Sequence, residues 1–424
     1  MRVDWPFEFP GVHWLDEKEE HAVQDVMQFG SLFRYYGLHA PKYVDAFEEA
    51  SERYYGTRHA LAINSGTGAL MAAMSALGIG PGCEVILPSF LWVATVAAVV
   101  QQNAIPVLCE VDESFCLDPA DLQRRFTSRT RLILPIHMAG SPCNMDAIMA
   151  LSNRHGIPVL EDCAQCNGGT YHGKALGTIG RAGIFSLQLN KNITCGEGGL
   201  LITDDEALYQ RAFSAHDMGM IRKNGRLAMP EGDAIAWGAG RRMTELCGAV
   251  AFVQMQKLDR IVGSMRKSKR RIETMLTDVP GLTFRRVNDA EGDCGGFLVM
   301  LLETEELAVE VVERIKSGGL HNAVRVSEYG LHIYYNIPAL VNRVPLSAAG
   351  NPWMLAENAQ SVFPYEKGSC PKSDALFARS ILLPIPSRLT EEQENAAATV
   401  IRQAISTAPD VPRPHYRPQK VPQG

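Results

Sequence analysis

The chain has 424 residues, a formal net charge of −6, 46% apolar residues and 21% charged residues. That balance is ordinary for a globular protein and does not favour nucleic acid or an anionic membrane as a partner. The sequence contains no run of about 18 uncharged apolar residues, so no membrane span is predicted. The N-terminal residues lack the apolar core of a secretory signal. The ten cysteines are scattered, which is typical of reduced thiols, so we expect a cytoplasmic protein.

Between residues 57 and 203, short apolar runs typical of buried strands alternate with helical patterns. The strand-like runs lie at 60–63, 85–87, 106–108, 132–134 and 158–160, and a helical pattern follows the first of them at 69–74. Such alternation predicts an α/β fold with a mostly parallel sheet that helices cover on both faces. Ligands of these sheets bind at the carboxyl ends of the strands, so residues that follow the strands are site candidates.

A second region follows this alternating one. Apolar residues recur at helical spacing from 243 to 276, which predicts one long helix. A strand at Phe297–Leu301 and a helix at 305–315 come next. We therefore expect a large domain over 1–255 and a smaller α/β domain over 256–408. Residues 409–424 contain five prolines and few apolar side chains, and this tail is predicted to be disordered or loosely attached.

Lys191 stands where the apolar run 183–189 gives way to a Gly-rich turn that ends in Gly198 and Gly199. Glycine carries no Cβ, so backbone and ligand can approach each other closely at such a turn. A lysine amine becomes a good nucleophile at neutral pH when burial or a nearby cation lowers its pKa. Lys191 is therefore a candidate to form a Schiff base with an aldehyde cofactor. The alternative is a surface lysine before a turn.

The turn after the first predicted strand contains Ser65, Gly66 and Thr67 and opens a helix. Its backbone N–H groups and two hydroxyls are suitable donors for a phosphate, although many such turns only cap a helix. Trp92 follows the second strand, where its ring is placed either to lie on an aromatic ligand or to pack in the core.

Asp162 follows the strand-like run 158–160. A carboxylate at the end of a central strand is costly to bury without a cationic partner. A protonated pyridine nitrogen is such a partner, and the carboxylate would keep that nitrogen protonated. The alternative is an aspartate that caps a helix or a turn.

Two short motifs, a C-x-x-C pair and a match to the nucleotide-binding P-loop, lack the neighbouring residues that their usual functions require. Cys163 and Cys166 form a C-x-x-C pair, but no second pair stands at zinc spacing and no thioredoxin-like aromatic residue precedes it, so we expect neither a metal nor a redox site. Residues 168–174 match G-x-x-x-x-G-K, but Ala175 replaces the Ser or Thr that would bind magnesium. A nucleotide P-loop is therefore not expected.

Taken in order, these motifs resemble the DegT/StrS family of pyridoxal-phosphate enzymes, the sugar and cyclitol aminotransferases of fold type I. The resemblance extends from 30–37 to 382–386, and the R-M-T-E-L stretch at 242–246 is similar to the family's R-M-[ST]-E-L. It implies an aspartate-aminotransferase-like fold, pyridoxal 5'-phosphate as cofactor, and a homodimer with active sites at the subunit interface.

The same resemblance implies a role for each candidate residue. Lys191 carries the cofactor as a Schiff base, and Asp162 pairs with the pyridine nitrogen. Gln165 lies near the phenolic oxygen, and Trp92 stacks on the ring. The residues implied as phosphate ligands are Gly66, Thr67 and Ser186. No metal ion is expected.

One position departs from the family pattern. Two residues before Arg242, many members carry an asparagine that reaches the phosphate of the neighbouring subunit, and here that residue is Gly240. A phosphate dianion needs several donors. We therefore expect Arg241 or a nearby backbone N–H to substitute for the asparagine.

The activity implied by the resemblance is transfer of an amino group from L-glutamate or L-glutamine to a keto-sugar or keto-cyclitol, in amino-sugar, aminocyclitol or antibiotic biosynthesis. Residues 350–353, Tyr365 and 368–371 are expected either to line the acceptor pocket or to form an ordinary loop. Two alternatives stay open: a synthase of the aminohydroxybenzoate type and a cofactor-binding regulator without turnover. The family's sugar dehydratases replace the lysine with histidine, so the presence of Lys191 disfavours dehydration.

Overall fold

The structure is a computed structural model that describes residues 3–40, 42–223 and 226–408. The tail at 409–424, for which disorder is predicted, lies outside the described residues. The α-helices are α1 Glu17–Phe29, α2 Tyr43–Tyr55, α3 Gly66–Ala76, α4 Val93–Gln101, α5 Pro119–Arg125, α6 Met145–His155, α7 Glu206–His216, α8 Glu245–Met255, α9 Leu258–Leu276, α10 Glu305–Ser317, α11 Pro338–Val341, α12 Pro371–Ala378 and α13 Glu391–Ser406. The strands are β1 His59–Ile63, β2 Glu84–Pro88, β3 Ile105–Cys109, β4 Thr130–Ile133, β5 Leu160–Asp162, β6 Thr170–Tyr171, β7 Lys174–Ala175, β8 Ala182–Ser186, β9 Gly199–Thr203, β10 Ile221–Lys223, β11 Arg226–Ala228, β12 Thr283–Phe284, β13 Phe297–Leu301, β14 Val324–Arg325 and β15 Ser380–Pro384.

A mixed sheet with the strand order β3-β2-β4-β5-β8-β9-β1 forms the centre of the N-terminal part. Parallel bridges from Ile133 to Val159 and from Ile136 to Asp162 join β4 to the β5 segment. Neighbouring strands from β3 to β8 are parallel, whereas β9 runs antiparallel to both β8 and β1. The mostly parallel sheet is therefore confirmed, with β9 as the exception. Residues 187–198 connect β8 to the antiparallel β9, and Lys191 lies in that loop.

Alternate residues of the strands pack on opposite faces of this sheet. In β1, Leu61 and Ile63 belong to one hydrophobic cluster, whereas Ala60 and Ala62 belong to another. Successive side chains of a strand point to opposite faces, so both faces of the sheet are buried. This burial explains why the strands are continuous apolar runs rather than alternating ones.

A second sheet, entirely antiparallel, has the order β12-β13-β15-β14. Helices α10 and α13 contribute to the hydrophobic cluster that covers it. The strand and helix predicted at Phe297–Leu301 and 305–315 are confirmed as β13 and α10. The domain boundary between residues 255 and 256 stays a prediction.

The single long helix predicted over 243–276 is wrong, because the chain forms α8 and α9 with a break at Gln256 and Lys257. Lys257 Nζ donates to the Trp14 carbonyl and to both Glu19 oxygens, each at 2.7 Å. These partners come from a distant part of the chain and hold Lys257 at the junction. Apolar periodicity carries no information about such contacts. No helix within the described ranges is long and apolar enough to cross a membrane.

Candidate active site

A cavity of about 390 Å³ opens where β5 and β8 end, beside the first turn of α3. It is the kind of position at which ligands bind to parallel sheets. The structure brings all the residues of the predicted site to this one cavity, although the role of each stays a prediction. The predicted residues that line it are Gly66, Thr67, Trp92, Asp162, Gln165, Ser186 and Lys191.

The first turn of α3 forms one end of the cavity. Ser65 caps the helix, since its Oγ accepts a hydrogen bond from the Gly68 N–H at 3.0 Å. A Cβ on Gly66 would lie 2.8 Å from that of Ser186, and one on Gly199 would lie 2.2 Å from the Ser65 carbonyl oxygen. Glycine at these two positions lets β8, β9 and the start of α3 approach closely. The unpaired N–H groups at the start of α3 therefore stand beside the Ser186 hydroxyl, which is a suitable arrangement for a phosphate.

The side chain of Arg241 lies along the same turn of its own chain. Its Cδ is 3.2 Å from where a Cβ on Gly68 would stand. Burial lowers the pKa of Arg241, and its guanidinium makes no hydrogen bond or ion pair with any residue that the structure describes. The neighbouring Gly240 has φ +63° and offers no side-chain donor. An unpaired cation beside a helix N-terminus supports the expectation that Arg241 contacts an anion there.

Asp162 is buried at the end of β5, with 2% of its surface exposed. Its Oδ2 accepts a hydrogen bond from Thr95 Oγ1 at 2.9 Å, and its Oδ1 accepts one from the Ala164 N–H at 3.0 Å. Burial raises the pKa of Asp162, and the hydrogen bonds from the Ala164 N–H and from Thr95 oppose that shift only in part. The carboxylate is thus held rigidly and lacks a direct cationic partner within the described ranges.

Lys191 lies in the β8–β9 loop, and its backbone is fixed on both sides. Its N–H donates to the Gln188 carbonyl at 3.0 Å, and its own carbonyl accepts from the Gly11 N–H at 3.3 Å. Burial lowers the pKa of Lys191, although the charges of Asp162 and Glu197 act in the opposite direction. A lowered pKa increases the share of the neutral amine, which is the nucleophilic form.

His332, which stands in no recognisable motif of the sequence, also lines the cavity. Its ring stacks on the Tyr329 ring, with 4.0 Å between the ring centroids and an interplanar angle of 12°. The centroids of the His332 and Trp92 rings are 4.6 Å apart, and these two rings are tilted by 41°. The Leu91 N–H donates to the His332 carbonyl at 2.9 Å and so ties this distant segment to the loop before α4. Trp92 itself is 42% exposed, which leaves part of its ring free to contact a ligand.

His332 and Gln165 form a hydrogen-bonded pair with one defined orientation. Burial and the charge of Lys191 lower the pKa of His332 to about 3, so the ring is neutral. Its Nδ1–H donates to the Tyr329 carbonyl at 3.1 Å, and its Nε2 accepts from Gln165 Nε2 at 3.3 Å. Because Gln165 Oε1 accepts from the Ala139 N–H at 2.9 Å, the amide directs its NH2 group, not its oxygen, to His332.

A buried cluster of His137, Glu161 and Cys163 has ligand atoms within 4.8 Å of one another. Its histidine and its glutamate are already hydrogen-bonded. The Glu161 carboxylate accepts from His137 Nε2 and from the backbone N–H groups of 177, 179 and 180, and His137 Nδ1 accepts from the Cys143 N–H. Such saturated groups fix the β5 region rather than offer free ligand atoms.

The predicted acceptor loop lies elsewhere. Tyr365 is 1% exposed, packs on Trp353 at 5.6 Å and donates to the Pro106 carbonyl at 2.7 Å. Neither Tyr365 nor the segments 350–353 and 368–371 line the cavity or the smaller one beside it. Of the two expectations for this region, the structure favours an ordinary loop.

The groups at the cavity match the parts of pyridoxal 5'-phosphate. A buried carboxylate without a direct cation suits a protonated pyridine nitrogen. An amine of lowered pKa suits an aldehyde, and a helix N-terminus with an unpaired guanidinium suits a phosphate. The half-exposed Trp92 ring suits stacking on an aromatic ring.

Comparison with known proteins identifies the same chemistry. The sequence model of the DegT/DnrJ/EryC1/StrS aminotransferase family matches residues 14–402. A Streptoalloteichus tenebrarius protein named "Putative L-glutamine:3-amino-2,3-dideoxy-scyllo-inosose aminotransferase" is 34% identical over 277 residues, which are 65% of each chain. The Bacillus subtilis spore coat polysaccharide biosynthesis protein SpsC is 29% identical over 399 residues, 93% of this chain and 96% of SpsC.

Solved structures show the same fold over nearly the whole chain. A 3-amino-5-hydroxybenzoic acid synthase matches with a TM-score of 0.78 and 26% identity, covering 96% of this chain and all of the synthase. The S. venezuelae protein DesV, solved in complex with a ketimine intermediate, matches with a TM-score of 0.75 and 28% identity, covering 95% and 98% of the two chains. The fold type I architecture predicted from the sequence is therefore confirmed.

Proposed function

Since this chain belongs to the DegT/DnrJ/EryC1/StrS family of pyridoxal-phosphate-dependent aminotransferases, we propose that it transfers an amino group from L-glutamine or L-glutamate to a keto-sugar or keto-cyclitol. The observation that carries this proposal is the placement of Lys191 and Asp162 in one cavity with the N-terminus of α3. These three features supply an amine, a partner for a pyridine nitrogen, and phosphate donors.

In the proposed mechanism, pyridoxal 5'-phosphate supplies, when bound, an aldehyde carbon and an electron-withdrawing ring. Asp162 holds a proton on the pyridine nitrogen, and the hydrogen bond from Thr95 fixes its carboxylate in place. Lys191 Nζ takes the proton from the donor's Cα and later delivers one to the carbon that receives nitrogen. The start of α3, Ser186 and Arg241 bind the phosphate and keep the ring in position.

The identity of the amino donor and acceptor is supported by the relatives. The name of the Streptoalloteichus tenebrarius protein states L-glutamine and an amino-dideoxy-scyllo-inosose. The Bacillus subtilis relative is named for spore coat polysaccharide biosynthesis. We infer that this chain acts on a carbonyl of a hydroxylated ring, in amino-sugar or aminocyclitol biosynthesis of the kind that yields antibiotics.

A second copy of the chain is proposed to complete the site. Exposed apolar side chains lie on two segments, 32–38 and 218–237. They are Leu32, Tyr36, Leu38, Met218, Met229, Ile235 and Trp237. Arg242 links the first segment to the residue that precedes the second, because its guanidinium lies 5.1 Å over the Phe33 ring and pairs with Asp217. Large exposed apolar patches mark interaction surfaces, so we expect a homodimer whose interface adjoins the phosphate end of the cavity.

A reducing location is also part of the proposal. Every cysteine of the chain is a free thiol, and several lie close to one another, such as Cys166 and Cys294 at 3.5 Å between their sulfurs. Reduced thiols at that distance are typical of proteins in the cytoplasm, where disulfides are rare.

A synthase of the aminohydroxybenzoate type is the second candidate, favoured by the structural match to 3-amino-5-hydroxybenzoic acid synthase. Such an enzyme would release an aromatic product instead of an aminated ring alcohol. A regulator without turnover is disfavoured, because Lys191 and Asp162 are both present and both face the cavity.

Separate half-reactions test these candidates. Purified protein is incubated first with L-glutamine and then, after the donor is removed, with a panel of keto-sugars and keto-cyclitols. We expect the donor to convert the bound cofactor from its aldehyde to its amine form, and one acceptor to reverse the absorbance change. An aromatic product would indicate the synthase, and no change with any common amino acid would refute transamination.

A further inference from the structure

A second, smaller cavity of about 40 Å³ adjoins the first beside Lys191. Gln165, Asn190 and Lys191 line both cavities, whereas the phosphate-end residues Ser65 and Ser186 line only the larger one. The smaller cavity is therefore separated from the phosphate end and lies next to the reacting amine. A substrate whose carbonyl is at Lys191 Nζ would place its neighbouring substituents there.

Glu8 lines this smaller cavity and has no partner there. Burial raises the pKa of Glu8, and its carboxylate makes no hydrogen bond or ion pair within the described ranges. The segment that carries it is nevertheless anchored at both ends. The Val3 N–H donates to the Gly318 carbonyl at 2.8 Å, and the Gly11 N–H donates to the Lys191 carbonyl at 3.3 Å. A carboxylate held partly buried without donors costs free energy that a ligand with hydroxyl groups would offset.

The charges around the smaller cavity favour uncharged substituents on the substrate. Among the described residues that line it, Lys191 is the only lysine or arginine and Glu8 is the only carboxylic residue. Side-chain amides are also present, at Gln165, Asn190 and other positions. Hydroxyl groups find acceptors and donors in such a lining. A phosphate near Glu8 would instead meet a like charge without an arginine to offset it.

We propose that Glu8 determines acceptor specificity, its carboxylate accepting hydrogen bonds from the hydroxyls of a neutral keto-cyclitol in preference to a nucleotide-linked keto-sugar. This inference rests on the proposed transamination and names the substrate class of the same site. Carboxylates accept strong hydrogen bonds from hydroxyls. Glu8 thereby acts on the substituents of the acceptor, while Lys191 and Asp162 act on the chemistry.

Glu8→Gln tests the proposal, because it keeps the size of the side chain and removes the charge. Exposed Glu20 on α1, which lines neither cavity, gives the matched control Glu20→Gln. We expect Glu8→Gln to raise the KM for scyllo-inosose and the Kd for the unreactive myo-inositol by about tenfold, because hydrogen bonds to a charged acceptor become weaker bonds to a neutral amide. The rate of the L-glutamine half-reaction should stay within about twofold of wild type, because that rate does not depend on the acceptor.

Wild-type protein should bind myo-inositol more tightly than its 1-phosphate ester, and Glu8→Gln should narrow that difference. Unchanged binding of myo-inositol in Glu8→Gln, or tighter binding of the phosphate ester by the wild type, would overturn the inference. So would efficient amination of a thymidine-diphosphate-linked 4-keto-6-deoxyglucose in the absence of any reaction with scyllo-inosose. Failure of the half-reaction with L-glutamine, L-glutamate and every other common amino acid in the wild type would refute the proposed function instead, and the myo-inositol measurements would still decide the role of Glu8.

Discussion

Asp162→Asn should have opposite effects on stability and on activity. Asparagine has nearly the same shape as aspartate, so the side chain can still accept from the Ala164 N–H and can donate to Thr95 Oγ1 once that hydroxyl rotates. The fold should therefore be retained. What the substitution removes is the buried negative charge whose proposed partner is the pyridine nitrogen.

The expected loss of activity follows from the burial of this group. Removing one partner of a buried ion pair costs about 3–5 kcal/mol. If that loss falls on the transition state, in which the ring must remain protonated, kcat/KM should fall by about 10²- to 10⁴-fold, since about 1.4 kcal/mol corresponds to tenfold. The L-glutamine half-reaction in a stopped-flow spectrometer measures this change directly.

The effect on the cofactor-free protein should have the opposite sign. Burial raises the pKa of Asp162 in the folded state, so its contribution to stability is greatest at low pH and is lost as the pH rises through the folded-state pKa. Above that pH the wild type contains an unfavourable buried charge that Asp162→Asn lacks. The melting temperature of the variant minus that of the wild type should therefore increase from pH 4 to pH 8, by on the order of a few degrees at most.

Two results would refute this reasoning about Asp162. One is a variant that keeps full half-reaction rate, because the carboxylate would then have no role at the ring nitrogen. The other is a cofactor-free variant that becomes progressively less stable than wild type as the pH rises. That outcome would mean that the buried carboxylate is net stabilising, contrary to the direction of its pKa shift.

Two further substitutions test the remaining parts of the cofactor site. Lys191→Ala should abolish turnover and the absorbance of covalently attached cofactor, and so should Lys191→Arg, which keeps the positive charge but is not a nucleophile. Normal turnover in either variant would contradict the proposal that Lys191 carries the cofactor. Arg241→Ala should raise the Kd for the cofactor by about 10- to 100-fold, because one hydrogen bond to a charged group is lost. A fluorescence titration measures this change, and the exposed Arg131 gives the control variant Arg131→Ala. Undiminished affinity in Arg241→Ala would leave the backbone N–H groups of α3 as the substitute donors.

The residues of the proposed cofactor site could largely be identified from the sequence, because they stand at strand ends. Lys191, Asp162 and Thr67 each follow a short apolar run, and in a parallel sheet those ends converge on one edge. The close approach of β9 to Ser65, which only glycine at position 199 permits, was not visible in the sequence. It depends on two strands meeting across more than a hundred residues.

The substrate side of the site was not predictable in the same way. His332 reaches the cavity through a hydrogen bond between its backbone and Leu91, and Glu8 reaches it through contacts of residues 3 and 11. Neither residue stands in a motif, because each is positioned by tertiary contacts rather than by its local sequence. The break between α8 and α9 has the same origin, since the partners of Lys257 lie near the start of the chain.

The central claim is that nitrogen passes from the donor's α-amino group to a carbonyl carbon of the acceptor. Incubation of the protein with L-glutamine labelled with ¹⁵N at the α-amino group, together with scyllo-inosose, allows the product to be followed by mass spectrometry. We expect an aminocyclitol that carries the label in stoichiometric amount. An unlabelled product, a dehydrated or aromatic product without the label, or no product with any keto-cyclitol or keto-sugar would contradict it.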